Sequence, residues 1–221
     1  MLDAGIKGPL LPQLDKASEN EIIIRTKIYL CNIEASKLSS LNIIGIDFHI
    51  GSQITEIEPI IEAITEIKKI IDELASHGIT LEHVDLGGGV GIRYRDEKPI
   101  PLPTYAEAII NAMGDHQHRL LFEPGRHIVA NAGILLTKVQ LLKKNHESSF
   151  AIVDAAMNDL LRPTLYEAHH AIQTVQSPGP GIGPADIVGP VCETGDYLGQ
   201  GRDMPQLGAG DALAVLSAGA Y

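Results

Sequence analysis

Cysteine is scarce in this sequence of 221 residues: Cys31 and Cys192 are the only two, and they stand far apart. Two such residues make neither a disulfide framework nor a zinc cluster, so a reducing, cytoplasmic setting is expected. Basic residues are also in short supply. Lys and Arg number 17 against 28 Asp and Glu, a formal charge of -11. An acidic surface repels nucleic acid and anionic membrane, so neither is an expected partner. No apolar stretch is long enough to span a bilayer, and Met1–Leu11 lacks the apolar core and cleavage site of a signal peptide. Internal repeats, low-complexity tracts and long runs of like charge are missing, which speaks against disorder away from the ends. Several catalytic spellings are missing too. Nine histidines are present, but no HExxH or Cys-His zinc pattern, and no metal is expected. No GxSxG elbow supports Ser-His-Asp chemistry.

What is present is a chain that is 44% hydrophobic, enough to bury one large core or two small ones. Residues 1–20 mix Gly, Pro and charge and read as loop or poorly ordered; Glu21–Leu30 reads equally as strand or helix. From Asn42 the pattern sharpens. Ile43–Ile50 is a short apolar run ending at Gly51-Ser52, which fits a buried strand. Ile57, Ile60, Ile61, Ile64, Ile67, Ile70, Ile71 and Leu74 follow with helical spacing. Pro59 falls in the first turn of that helix, and His77-Gly78 closes it. Leu81–Leu86 reads as a second strand, stopped by Gly87-Gly88-Gly89. A Pro-rich loop, Lys98–Pro103, leads to a helix expected over Thr104–Met113, with Thr104 and Glu107 as a capping box. Arg119–Phe122 reads as a third strand, ending at Glu123-Pro124-Gly125-Arg126. Strand, loop and helix alternate, as in a parallel sheet or barrel whose strand-end loops carry the chemistry.

After about Ala132 the texture changes. Ile134–Leu142, Phe150–Val153, Ala185–Val191 and Ala212–Ala218 read as strands, with a turn at Pro178-Gly179-Pro180-Gly181 and a short helix near Met157–Leu161. A mostly β second domain is expected, with its boundary near Asn131–Ile134.

Three strand ends hold candidate chemistry. Gly87–Gly89 has the backbone freedom of an anion nest, though alone it reads more simply as a tight turn. Glu123 and Arg126 share one rigid turn; the planar Arg fork suits a phosphate or carboxylate, and a surface ion pair would look the same. His49, followed by Ser52, is either a satisfied near-core residue or a group that stacks on a planar cofactor. Further on, Cys192-Glu193 is either a small buried hydrophobe beside an acid or a reactive thiol.

Six motifs then fall in one order: His49-Ile-Gly-Ser-Gln53, Asp85-Leu-Gly-Gly-Gly89, Glu123-Pro-Gly-Arg126, Asn158-Asp-Leu-Leu-Arg-Pro163, Cys192-Glu-Thr-Gly-Asp196 and Gly219-Ala-Tyr221. Over roughly Leu41–Tyr221 the chain resembles the diaminopimelate decarboxylases, in the alanine-racemase-like class of pyridoxal-phosphate decarboxylases. The resemblance implies an α/β plus β fold, with the later part of a PLP-binding (β/α)8 barrel over residues 1–133 and an incomplete C-terminal β domain over 134–221. It implies a homodimer acting on meso-2,6-diaminopimelate to give L-lysine, with related decarboxylases of ornithine, arginine or carboxynorspermidine, or a non-catalytic fragment, as the alternatives.

It also implies roles. His49 stacks on the pyridine ring of pyridoxal 5'-phosphate and Glu123 pairs with the ring nitrogen. Ser52, Gly87, Gly88, Gly89, Gly125, Arg126 and Tyr221 hold the phosphate. Arg126, Arg162, Tyr166 and Glu193 grip the unreacting end of the amino-acid substrate, and Cys192 reprotonates the α-carbon in the partner subunit's site. There are departures. The family's cofactor-holding lysine lies in a Tyr-x-x-Lys-Ala-Asn motif ahead of the histidine motif, and Lys7, Lys16, Lys27 and Lys37 do not match it. Residues 1–40 fall outside the resemblance, relatives continue past Tyr221, and Ala156 stands where glycine is usual. A chain truncated at both ends, and inactive alone, is therefore expected.

Overall fold

The computed structural model describes residues 29–146, 148–176 and 181–221, with the side chains of 181–183 left aside. The expectations for residues 1–20, for most of Glu21–Leu30 and for the turn at 178–180 lie outside the described residues. The chain divides into two compact units. One comprises Met1–Gly91 and Pro99–Pro124, the other Ile92–Lys98 and Gly125–Tyr221.

In the first unit residues 29–36 are helical (α1). Then come β1 (Gly45–Asp47), α2 (Glu58–Ser76), β2 (His83–Asp85), α3 (Leu102–Met113) and β3 (Arg119–Leu121). The strands form a parallel sheet in the order β1-β2-β3. Each is shorter than the apolar run around it, because the flanking residues turn into strand-end loops. Helix α2 forms where the periodicity places it and buries Ile60, Ile64, Ile67, Ile70, Ile71 and Leu74. Each such side chain contributes about 2 kcal/mol on leaving water. Its C-terminus closes with a paired backbone motif. Gly78 N–H donates to Ala75 O and Ile79 N–H to Leu74 O, with Gly78 at φ +79 and Leu74 and Ile79 both in the core.

Helix α3 begins earlier than the Thr104 expected. Pro101 is its N-cap and no side chain caps it, so the Thr104–Glu107 capping box does not form. Pro103 is tolerated in the first turn because its missing N–H has no intrahelical partner there. Tyr105, Ile109 and Met113 turn inward, and α2 and α3 pack together.

The second unit begins with a short helix, α4 (Gly125–Val129), and a 3-10 turn, Ala130–Ala132. It continues with β4 (Leu135–Lys144), β5 (Ser149–Val153), α5 (Arg162–Tyr166), β6 (Ile172–Thr174), β7 (Gly181–Val188), β8 (Tyr197–Pro205) and β9 (Ala212–Val215). The sheet runs β6-β9-β4-β5-β7-β8. It is antiparallel except for the β5–β7 pair. The end strands β6 and β8 come into contact, so the sheet nearly closes on itself. Val139, Ala151, Val153, Ile187, Leu198 and Leu213 fill its interior.

Two elements here depart from expectation. The helix expected near Met157–Leu161 is a turn, and the helix forms at Arg162–Tyr166 instead, with Pro163 in its first turn. Asp159 explains the turn: its carboxylate accepts the Ala156 N–H at 2.9 Å, the local bonding by which Asp competes with helix. Ala156 itself is buried without a positive φ. Strands β6 and β8 were not anticipated. No helix among the described residues is long and apolar enough to cross a membrane.

Candidate functional site

In the first unit the in-register pairing of Asp47 with Asp85, and of Asp85 with Leu121, brings the ends of β1, β2 and β3 level. Their loops therefore meet. Phe48 N–H donates to Asp85 O at 3.2 Å, Glu123 N–H to Gly87 O at 2.7 Å, and Ile54 N–H to Gly89 O at 2.8 Å. The three glycines are needed where these backbones touch. A Cβ on Gly87 would lie 2.4 Å from Phe48 O, on Gly88 2.0 Å from Glu123 O, and on Gly89 2.2 Å from Gly51 O. Gly87 and Gly89 also have positive φ, +66 and +92.

Their amides are not all open. Gly87 N–H donates to Asp85 Oδ1 at 2.9 Å, and Gly88 N–H to His49 Nδ1 at 3.3 Å. Among the described residues that leaves the Gly89 amide, so the run is first a packing wedge and only in part an anion nest. The bond from Gly88 pins His49 through Nδ1 while its ring stays exposed. Ser52 is exposed. Glu123 completes a cluster with Asp47 and Asp85, with one carboxylate oxygen from each lying within 4.8 Å of the others. Asp47 and the part played by Asp85 were not singled out beforehand; the strand register is the only signal, and it needs the pairing to be known.

The donor set suits a pyridinium phosphate. A pinned, exposed imidazole offers a face, an acidic cluster favours a protonated ring nitrogen, and a glycine turn admits close approach of an anion.

The second unit gathers a separate set of residues. Arg126 and Arg162 are both 9% exposed. Arg126 Nη1 donates to Tyr94 Oη at 2.7 Å, and its guanidinium lies 4.9 Å from the Tyr221 ring centroid. The Arg162 guanidinium lies 4.4 Å from the Tyr94 centroid. One tyrosine ring thus serves both cations, and cation–π attraction offsets part of their mutual repulsion. Arg162 also donates through Nη1 to His170 Nε2 at 2.8 Å, and it has no ion pair with a carboxylate among the described residues. Burial draws Arg162 below its ordinary pKa; Tyr94 opposes this and the charge on Arg126 adds to it.

Tyr166, also on α5, is 70% exposed. Helix α5 is tied to the Cys192–Asp196 loop by Thr164 Oγ1, which donates to Gly195 O at 2.5 Å. That loop is built on buried Asp196. Its Oδ1 accepts Met157 N–H and its Oδ2 accepts Val191 N–H, each at 2.7 Å. Cys192 and Glu193 stand exposed on it, Cys192 as a free thiol. Glu193 Oε1 accepts from Thr194 Oγ1 at 2.9 Å and from Gly195 N–H at 3.3 Å. These bonds, the hydroxyl first, hold the Glu193 carboxyl below its usual range. The structure therefore joins Arg126, Arg162 and Tyr221 around Tyr94. It leaves Tyr166, Cys192 and Glu193 on exposed surface, and Gly125 exposed with open space about it.

Tyr94 and His170 were missed. His170 counted only as one of nine histidines, and nothing in the spacing around Tyr94 announces an arginine platform. Asp196 was quoted inside a motif without a role.

Comparison with known proteins gives a family. A family model described as the pyridoxal-dependent decarboxylase C-terminal sheet domain matches residues 1–219. Diaminopimelate decarboxylase of Pseudomonas fluorescens is 50% identical over 189 residues, 86% of this chain and 45% of that relative. The solved structure of diaminopimelate decarboxylase from Helicobacter pylori complexed with L-lysine aligns with a TM-score of 0.83 and 43% identity, over 89% of this chain and 49% of that one. The lysine/ornithine decarboxylase of Vibrio vulnificus, complexed with cadaverine, aligns at 0.77 with 26% identity, over 87% of this chain and 52% of that one. The chain spans about half the length of the relatives it matches.

Proposed function

The chain belongs to the pyridoxal-dependent decarboxylases, and from that premise we propose that the protein carrying it converts meso-2,6-diaminopimelate to L-lysine. The observation that carries the substrate is Arg162. Its guanidinium is buried, held from two sides and without a carboxylate partner among the described residues. A buried charge demands a counter-charge, and a second substrate carboxylate supplies one. Ornithine has none to offer.

Pyridoxal phosphate, when bound, takes up the electron pair left as carbon dioxide departs. Glu123 would pair with the ring nitrogen and favour its protonated form, supported by the neighbouring carboxylates of Asp47 and Asp85. His49 would hold the ring by stacking. Ser52, Gly125, Arg126 and Tyr221 would hold the phosphate with the Gly87–Gly89 turn, whose Gly89 amide has no acceptor among the described residues. Arg126, Arg162, Tyr166 and Glu193 receive the distal amino-acid end of the substrate, where a guanidinium suits its carboxylate and Glu193 its ammonium.

Cys192 supplies a proton to the α-carbon in a second copy's site, a role its exposure supports. Two copies sharing sites form the working assembly. The described residues up to 133 are the later part of a (β/α)8 barrel, supported by the parallel β1-β2-β3 sheet with its connecting helices, and those after 133 the C-terminal β domain.

The test offers diaminopimelate, ornithine and arginine to the cofactor-loaded protein and follows carbon dioxide. Release from diaminopimelate is expected; turnover of ornithine alone overturns the reading.

A further inference from the structure

We infer that His170 is a positioning residue for Arg162, and that it works as a neutral imidazole locked in one tautomer. The inference rests on the substrate reading of Arg162 above. His170 is fully buried. Its two ring nitrogens meet groups that leave no choice of roles. The Leu216 carbonyl oxygen, 2.9 Å from Nδ1, can only accept. Arg162 Nη1, 2.8 Å from Nε2, can only donate. Nδ1 therefore carries the proton and Nε2 offers its lone pair. A doubly protonated ring would set an N–H against an N–H and place two cations in contact.

The surroundings favour the neutral form. Burial lowers the His170 pKa first of all. The Leu216 bond works the other way, and the charges of Arg162, His169 and Arg202 push it down again. The Tyr94 ring also meets the imidazole edge-on, with centroids 5.0 Å apart.

The consequence falls on Arg162. An arginine fork recognises a carboxylate only when its plane is set. Here one Nη is bound to His170 and one face lies on Tyr94, so the plane is set from two directions. Among the described residues no carboxylate occupies the fork, whose remaining edge is left for a ligand. His170 is anchored in turn to the backbone at Leu216, one residue past β9, so the sheet itself carries the alignment to the guanidinium.

The test compares three variants of the cofactor-loaded protein. His170→Phe keeps the volume and removes the acceptor; His170→Gln restores an acceptor near the Nε2 position; Arg162→Ala removes the cation. The expected result for His170→Phe is a KM for diaminopimelate raised about tenfold with little change in kcat. His170→Gln recovers most of the loss. Inhibition by cadaverine, which carries no carboxylate, stays within about twofold. Independently of turnover, nitrogen NMR of the parent is expected to show His170 protonated at Nδ1 and bare at Nε2 at pH 7.

An unchanged KM in His170→Phe, equal loss of diaminopimelate and cadaverine binding, or protonated Nε2 overturns the inference. An unchanged KM in Arg162→Ala overturns instead the substrate reading on which it rests.

Discussion

The backbone at Gly88 touches the backbone at Glu123: a Cβ on the glycine would lie 2.0 Å from the glutamate's carbonyl oxygen. The turn after β2 and the end of β3 are therefore set by contact between main chains. No side-chain adjustment can relieve a clash there, so the position of the Glu123 carboxylate depends on a residue that has no side chain.

Gly88→Ala is expected to cost about 1–3 kcal/mol or more, the range for forced overpacking. Gly125→Ala, with nothing within 4 Å of the added carbon, is expected to stay within about 1 kcal/mol of the parent. Urea midpoints compare the two, and equal midpoints would contradict the packing argument.

Asp196→Ala should lose about 1–3 kcal/mol, because its buried carboxylate is the acceptor for the N–H groups of Met157 and Val191. Asp196→Asn retains one acceptor and should lose less. Thermal melts order the three proteins, and a melt for Asp196→Ala within a degree or so of the parent would show that the loop does not depend on this carboxylate.

Acid should destabilise the second unit through His170. Its pKa is lowered in the folded protein, burial being the largest cause, while the unfolded imidazole titrates near about 6.5. Below that value the unfolded chain binds more protons than the folded one, so stability falls with pH; above it the contribution is complete. His169 is lowered too, by burial first and then by Arg202 and Arg95, so some slope persists without His170. Urea midpoints at pH 7.5 and 5.5 should converge in His170→Gln relative to the parent. Identical pH losses in the two proteins would remove His170 from the account.

Glu123→Gln preserves shape and removes charge. If the carboxylate holds the cofactor nitrogen protonated, kcat should fall about a hundredfold or more, with cofactor absorbance showing that the ring is still bound. A kcat equal to the parent's would sever Glu123 from the chemistry.

Helix α2 was legible because its isoleucines repeat at helical spacing and glycine follows at the C-cap. That pattern is local and needs no partner. The start of α3 was misplaced because Pro103 looked like loop chemistry, whereas a first helical turn tolerates it. Strand β8 escaped because Tyr197–Pro205 carries Gly199, Gly201, Arg202 and Asp203; neighbouring strands make it a strand, against its own composition. The strand-end motifs showed where chemistry gathers but not which atoms are spoken for. The use of the Gly87 and Gly88 amides by Asp85 and His49, and the pairing of Arg162 with His170, depend on contacts between distant stretches of chain.

The segment Ile92–Lys98 belongs to the second unit although the chain on both sides of it belongs to the first. The two units are thus stitched, each made of non-adjoining lengths of polypeptide. No single cut can release either one whole. A break between Pro124 and Gly125 leaves Tyr94 on the wrong piece, and with it the ring on which Arg126 and Arg162 rest. Ribosomal synthesis meets the same order: Tyr94 emerges well before the arginines it serves, and the platform waits for the cations that complete it.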